Sequence, residues 1–452
     1  MTMLRSIAML AVFAVAIAAA NAAPDGDRRV VVITLDGFPA YLLDDPHASL
    51  PVIRGLRRAG AFAIQGMRVS NPAVTWPNHT TLMTGVHPEK HGVLFNGVLE
   101  RHGKGQTVRV EAGKSQQDLV RIPLLFDHLK AAGVDSTAIN WPCTRGSASI
   151  DANLPDVPDQ VTHTSEWLKD VLDREGHLAR FVGGSNVVRD EVWTDAACRV
   201  IRDRKPRFLT LHLLNLDSTH HKYGPRSNPG YTAAALLDAM VGRVIEALTE
   251  AGIRDKTAVF ILADHGFMTV KHSLHPNAVL RKEGLLTMQG ASIATARVQV
   301  VPEGGIGMVY LNDPGTADAD GETVRRLFRD AEGIRAVLGP EDFGRYHFPM
   351  PKDNPQMADL VLVAKEGYSF TASAAGDKLV GEAETPFGAH GYVSTEPGMN
   401  ALFVASGSGI RPGVRLKVID NVDIAPTAAN LLGLKLEGVG GRVLGEILEG
   451  HD

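Results

Sequence analysis

The chain has 452 residues, with 46 Lys and Arg against 51 Asp and Glu, a formal charge of −5 and a hydrophobic share of 44%. These values exclude a disordered, collagen-like or small disulfide-stapled protein. The mild acidity argues against a protein that lives by gripping nucleic acid, because no basic surplus is there to neutralise phosphates. The 17 histidines are unusual and prompt a search for metal ligands.

Residues 1–23 read as a secretory signal. Arg5 precedes an unbroken apolar run over 7–20, and Ala20 and Ala22 bracket Asn21 in an A-x-A site, with cleavage expected after Ala22 or Ala23. The run is too short for a comfortable membrane span. An uncleaved N-terminal anchor is the alternative. No later stretch approaches a spanning length, so the mature protein is expected to be soluble and exported, periplasmic in a cell with two membranes.

A run rich in β-branched residues over 30–35 ends at Asp36-Gly37 and suits a strand buried on both faces. The same shape recurs over 137–141, over 208–216 before Asp217, over 258–263 before Asp264-His265-Gly266, and over 401–405. Amphipathic helical patterns lie between them, over 51–61, 122–132, 190–202 and 231–251. The alternation predicts an α/β fold: a mostly parallel central sheet with helices on both faces. The stretch 268–385 is less regular, with strand-like pieces at 297–301, 307–311 and 360–364 and a helix at 322–331. It is expected to form a smaller inserted lobe over the site. The catalytic core would then be 24–267 and 386–452, with a closing helix at 422–432. Cys143 and Cys198 are too few for a framework and are expected to be structural, paired or buried.

In open α/β sheets, ligands collect beyond the carboxyl ends of strands. Those ends carry Asp36, Asp217 with His221 four residues on, Asp264-His265, and His390 in Phe387-Gly388-Ala389-His390-Gly391. Singly, such an Asp is usually a turn or capping residue, and a lone His is ordinary. Together, each beside an apolar run, they point to a metal site, and carboxylate with imidazole suits zinc. A second segment runs from Asn71 to Gly85. Pro77 suits the first turn of a helix and Gly85 its end. Thr75 then sits at the helix entrance, where N–H groups favour an anion. It reads either as an N-cap or, beside a dinuclear metal site, as a nucleophile.

Asp36, the Thr75-Trp76-Pro77-Asn78-His79 block with Thr84-Gly85, Pro88 and His91-Gly92, then Asp217, His221 and Gly224-Pro225, Asp264-His265-Gly266 and Gly388-Ala389-His390-Gly391 follow one another in an order that resembles the alkaline phosphatase superfamily. The closest likeness is to its nucleotide pyrophosphatase/phosphodiesterase branch, which Trp141-Pro142 and Asp423-Ile424-Ala425-Pro426-Thr427 also resemble. The likeness spans residues 29–445 apart from the irregular insert. It implies an alkaline phosphatase-like fold and zinc-dependent cleavage of phosphate esters through a phosphothreonine at Thr75. It implies two Zn2+ per chain, one held by Asp36, Thr75, Asp264 and His265, the other by Asp217, His221 and His390. Asn96 would donate to a non-bridging phosphate oxygen, and the Trp76 amide would be a second donor. The Trp76 ring, where the branch usually has Phe, would stack on a base or aryl leaving group or merely pack. His220 is the rival of His221; His79, His87, His91 and His275 are left as structural or surface residues.

The expected substrate is a small-molecule phosphate ester, a nucleotide or other diester, with no nucleic-acid partner. Arg145 follows Trp141-Pro142 where the branch has small or acidic residues. Pointing into the site, it would favour a phosphate monoester or a phosphonate of the phosphonoacetate type; facing solvent, it leaves the diester reading in place. A sulfatase is disfavoured, because Thr75-Trp76-Pro77 lacks the modifiable Cys or Ser. A non-catalytic exported binder of zinc or phosphate is the rival from another class.

Overall fold

The structure is a computed structural model that describes residues 26–450. The signal segment at 1–23 lies outside the described residues. Eight strands form the central sheet: β1 (Arg29–Leu35), β2 (Ala61–Ala63), β3 (Ser136–Pro142), β4 (Ala152–Asp156), β5 (Phe208–Leu213), β6 (Thr257–Leu262), β7 (Phe403–Gly407) and β8 (Val414–Leu416). Their order is β8-β2-β7-β6-β1-β5-β3-β4. β1 pairs in parallel with both β5 and β6, and β3 with both β5 and β4. β7 departs from the parallel pattern: it starts two residues after the expected run and lies antiparallel to β6 and β2.

β1 is central, and its Val30, Val31, Val32, Ile33 and Leu35 are almost fully buried. Each such side chain contributes roughly 1.5–3 kcal/mol by leaving water. Helices cover both faces of the sheet. The helices α1 (Pro51–Ala59), α3 (Asn186–Arg204), α4 (Asn215–Tyr223) and α5 (Asn228–Glu250) pack as one group, and α2 (Thr75–Thr84), Leu125–Ala131 and α6 (Ile424–Leu431) as another.

The apolar run over 208–216 divides into two elements. β5 stops at Leu213, and α4 starts at Asn215. The cause is Asp190 on α3, whose carboxylate accepts the Leu214 N–H at 2.7 Å and the Asn215 N–H at 2.9 Å. A distant acid thus caps the new helix and turns the chain out of the sheet. Asp217 falls in the first turn of α4, with His221 one turn on.

No strand between Met268 and Ala389 joins the central sheet. Val298–Glu303, Ile306–Leu311, Leu360–Ala364 and Ile334–Leu338 form a four-stranded antiparallel sheet in that spatial order. Tyr310, Phe343 and Phe348 belong to a hydrophobic cluster separate from the main core. Met268–Leu274 pairs antiparallel with Val380–Ala389, so Met268 lies opposite Ala389. That ladder returns the chain from His265 to His390. Cys143 and Cys198 are both free and buried. Among the described residues, no helix is long and apolar enough to cross a membrane.

Candidate active site

Asp36 follows β1 and Asp264 follows β6, both fully buried. The Gly37 N–H donates to Asp264 Oδ1 at 3.1 Å, and the His265 N–H reaches the same oxygen at 3.0 Å. Gly37 has φ +64°, and a Cβ there would lie 2.8 Å from the Phe267 ring, so the turn after Asp36 requires glycine. Asp36 Oδ2 meets His212 Nε2 at 3.0 Å. Each aspartate therefore has one oxygen held by the protein. The other oxygens, Asp36 Oδ1 and Asp264 Oδ2, are buried without partners, as is His265 Nε2. His265 Nε2 lies 3.4 Å from each of them.

Asp217, His221 and His390 form a second convergence. Asp217 Oδ1 is also buried without a partner, and it lies 3.4 Å from His221 Nε2 and 3.7 Å from His390 Nε2. The His265 and His390 rings stack with centroids 3.8 Å apart, so the two groups adjoin. Each imidazole is anchored in the same way. Nδ1–H donates to a backbone carbonyl, Gly266 for His265, Gly388 for His221 and Ala73 for His390. That hydrogen bond fixes the ring and directs Nε2 to the cluster.

Burial pushes His265 down to about 3 and His390 well below the usual imidazole range, so both rings are neutral at neutral pH. Burial also raises the acids, Asp217 and Asp264 to about 6. For Asp36, burial is joined by repulsion from Asp264 and Asp217. Buried, mutually repelling acceptors without donors are costly unless a cation sits among them. Asp36, Asp264 and His265, and Asp217, His265 and His390, are spaced closely enough to share a divalent ion, with His265 common to both groups. The donor set of carboxylate oxygen and imidazole nitrogen fits zinc.

Thr75 opens α2. The N-cap position belongs to Val74, whose backbone is extended, so the Thr75 hydroxyl is not a helix cap. The Thr75 carbonyl accepts from His79 Nδ1 at 2.9 Å, and His79 Nε2 meets Thr34 Oγ1 at 2.9 Å. His79 Nδ1 is also 3.6 Å from Asp264 Oδ2. His79 and His212 lie with Asp264 in a third close group. Their ring nitrogens are spent on Thr75, Thr34, Asp36 and Asn140, so they brace the Asp36 carboxylate and the Thr75 backbone.

Asn96 and Trp76 are joined. The Trp76 N–H, expected as a phosphate donor, instead donates to Asn96 Oδ1 at 2.9 Å. That bond orients the Asn96 amide and leaves its Nδ2 as the available donor. The Trp76 indole packs with Val93, Leu119, Cys143 and Val157, while Nε1–H donates to Asp156 Oδ2 at 2.8 Å. Thr75, Trp76, Asn96, Asp217, His221 and His390 all line one cleft of about 700 Å³. Arg145 does not line it; its guanidinium donates to the Gly113 carbonyl.

A family model described as "Type I phosphodiesterase / nucleotide pyrophosphatase" matches residues 30–393. The chain belongs to this family. It thereby falls in the nucleotide pyrophosphatase/phosphodiesterase branch of the alkaline phosphatase superfamily. It is similar to human ectonucleotide pyrophosphatase/phosphodiesterase family member 1, 23% identical over 416 residues, covering 89% of this chain and 40% of that protein. Venom phosphodiesterase 2 of Crotalus adamanteus is 24% identical over 415 residues, covering 90% of this chain and 45% of the venom protein. The chain thus spans less than half the length of these relatives. The fold is similar to that of human ectonucleotide pyrophosphatase/phosphodiesterase 5, with a TM-score of 0.70 at 18% identity over 92% of this chain and 97% of that one. A murine form of that protein, an inactive threonine-to-alanine variant in complex with AMP, gives a TM-score of 0.68 at 19% identity, again over 92% and 97% of the two chains.

For this phosphodiesterase-family chain, the structure brings the seven expected ligand residues and Asn96 to one end of the sheet. His220 also ties its Nδ1–H to a carbonyl, that of Gly37 at 3.2 Å, and its Nε2 is buried without a partner, but among the described residues it forms no close pair with an acid, whereas His221 Nε2 lies 3.4 Å from Asp217. Sequence reasoning missed His212 and left His79 as a structural or surface residue; His79 is buried and braces Thr75 and Thr34. The available signal was a polar ring inside an apolar strand, since His212 sits opposite Thr34 in the β1–β5 ladder.

Proposed function

We propose that the protein is an exported, zinc-dependent hydrolase of phosphate diesters and nucleotide pyrophosphate bonds, with Thr75 as the nucleophile. The observation that carries this is the set of buried, unpartnered atoms on Asp36, Asp217, Asp264 and His265 beside an uncommitted threonine hydroxyl. Zinc held by Asp36, Asp264, His265 and Thr75, and by Asp217, His221 and His390, would neutralise phosphate charge and lower the threonine pKa.

The chain's own residues do the rest. Thr75 Oγ1 bonds to phosphorus as the alcohol or phosphate leaving oxygen departs with the hydroxyl proton. Water then displaces Thr75 from the vacated side, restoring the hydroxyl and releasing the phosphate product. Asn96 Nδ2 donates to a non-bridging oxygen, and the Trp76 N–H holds that amide in place. Position at the start of α2 adds the favourable end of the helix dipole.

The position of Arg145 supports a diester over a monoester. Its guanidinium is occupied at Gly113, so that loop supplies no cation for a second phosphate charge. A panel of a bis-aryl phosphate, an aryl phosphate and phosphonoacetate tests the reading on purified protein. The bis-aryl phosphate should give the highest kcat/KM. An aryl phosphate preferred by orders of magnitude overturns the diester assignment, and no turnover of any ester leaves only a binder. Export is tested by sequencing the N-terminus of protein recovered outside the cytoplasm; a chain starting at Ala23 or Pro24 is expected.

A further inference from the structure

The cleft lined by Thr75, Asp217, His221 and His390 is also lined by Phe181, Leu214 and Arg189. Arg189 is half-buried in the first turns of α3. Its Nε is buried and has no hydrogen-bond partner. Among the described residues, no carboxylate forms an ion pair with it. Most half-buried arginines spend their fork on a carboxylate or a carbonyl. Here the guanidinium carbon lies 5.3 Å from the Phe181 ring centroid, a contact that steadies the plane and leaves its N–H edges unused.

The cation is also held in register with the candidate centre. The next residue, Asp190, accepts the Leu214 and Asn215 N–H groups, and Asn186 donates to Ser218. The start of α3 and the start of α4 are therefore pinned together, and α4 carries Asp217 and His221. The other acids along the cleft, Asp156 and Asp159, do not pair with Arg189; Asp156 is engaged by the Trp76 indole.

We propose that Arg189 forms a second anion subsite in the cleft, taking a phosphate group that the substrate carries beyond the scissile phosphorus. Within the ester classes already proposed, Arg189 would then be the residue that favours a substrate carrying a further phosphate over a singly charged diester. This rests on the phosphohydrolase reading above. The fork would replace water on an oxyanion with two charge-assisted hydrogen bonds, and the rigid α3–α4 junction sets how far from Asp217 that oxyanion lies.

The test compares Arg189→Met, which keeps the stem over Phe181, and Arg189→Lys, which keeps the charge, in the zinc-loaded full chain. For adenosine triphosphate, Arg189→Met should lower kcat/KM by roughly tenfold or more beyond its effect on a bis-aryl phosphate, chiefly through KM. Arg189→Lys should recover part of that selective loss. Equal losses on the two substrates, or full recovery of adenosine triphosphate turnover by the apolar Met, would show a packing role and overturn the proposal. Calorimetry of adenosine diphosphate binding to Thr75→Ala protein gives a readout free of turnover. Adding Arg189→Met should weaken that binding by a similar factor, and unchanged affinity overturns the subsite. Wild-type protein that hydrolyses neither substrate would defeat the hydrolase reading, while the calorimetric comparison would still decide Arg189.

Discussion

A threonine hydroxyl is nearly inert at neutral pH, so whatever makes Thr75 reactive lies in its surroundings. Val74, not Thr75, occupies the cap position of α2, and the Thr75 carbonyl is tied down by His79. Thr75→Ala should lower kcat on a bis-aryl phosphate by about a thousandfold or more, while elemental analysis still finds most of the metal. Retained turnover would remove Thr75 from the chemistry. Asn96 offers a sharper comparison, because its two amide ends do different work. Oδ1 accepts the Trp76 N–H, and Nδ2 is left for substrate. Asn96→Asp keeps the acceptor and loses the donor, so it should fall nearly as far as Asn96→Ala, about a hundredfold in kcat. An Asp variant with near-normal kcat would reduce Asn96 to a brace for Trp76. The convergence of Asp36, Asp217, Asp264 and His265 was legible because these residues follow apolar runs, while His221 came from its spacing to Asp217, His390 from its glycine-flanked segment and Thr75 from the helix entrance that Pro77 marks. His212 was not, since a residue inside a strand becomes a support for Asp36 only through the β1–β5 register. The bond between Trp76 and Asn96 was equally hidden, because it depends on where a loop returns.

The junction of β5 and α4 shows how one buried acid places several functional groups. Composition alone allows a strand through Leu216; the carboxylate of Asp190 ends it at Leu213 by accepting two N–H groups. Burial pushes Asp190 up to about 7 from an ordinary 3.8, even though both N–H groups favour its charged form. Between those values the folded chain holds a proton that the unfolded chain has released. Stability therefore falls as pH rises through this window and levels off above it. Asp190→Asn does not titrate, so its melting temperature should gain on wild type between about pH 4 and about pH 7, whatever constant cost the lost acceptor brings. Melting curves that stay a fixed distance apart across that range would rule this out. His390 depends on a different device. Gly391 has φ +74°, and a Cβ there would lie 1.6 Å from the Glu303 carbonyl oxygen, in the turn between two strands of the antiparallel sheet. The Gly305 N–H donates to the His390 carbonyl, and the Gly391 N–H to Ala73 just before Thr75. Gly391→Ala should cost about 1–3 kcal/mol of stability through backbone strain and weaken metal retention at His390. A variant that melts and binds zinc like wild type would show that this turn does not position the ligand.

Taken whole, the molecule is a parallel core, with both faces covered, that gathers acids from separate strand ends. That architecture was readable from chain order, since continuous apolar runs alternating with amphipathic helices admit few other arrangements. The antiparallel course of β7 was not, because strand direction depends on how the chain returns from the stretch after His265 rather than on the composition of the run. The same return brings His390 against His265 and so completes the cluster. Three buried aspartates beside one another oppose folding on their own. Burial raises all three, and Asp36 also feels the charges of Asp264 and Asp217. A bound dication reverses the sign of that contribution. At free zinc about a hundredfold above Kd, one site adds about 2.7 kcal/mol to stability. Chelated protein should therefore melt several degrees lower and recover when zinc is added. Identical melting in chelator and in zinc would mean that no ion belongs among these residues. Asp36→Asn separates metal binding from a general effect of zinc on the protein. It removes a repelled buried charge, so above neutral pH it should raise the melting temperature of chelated protein. In excess zinc it removes a ligand and should lower the melting temperature below wild type. A variant that shifts melting in the same direction under both conditions would break the link between the clustered acids and a cation.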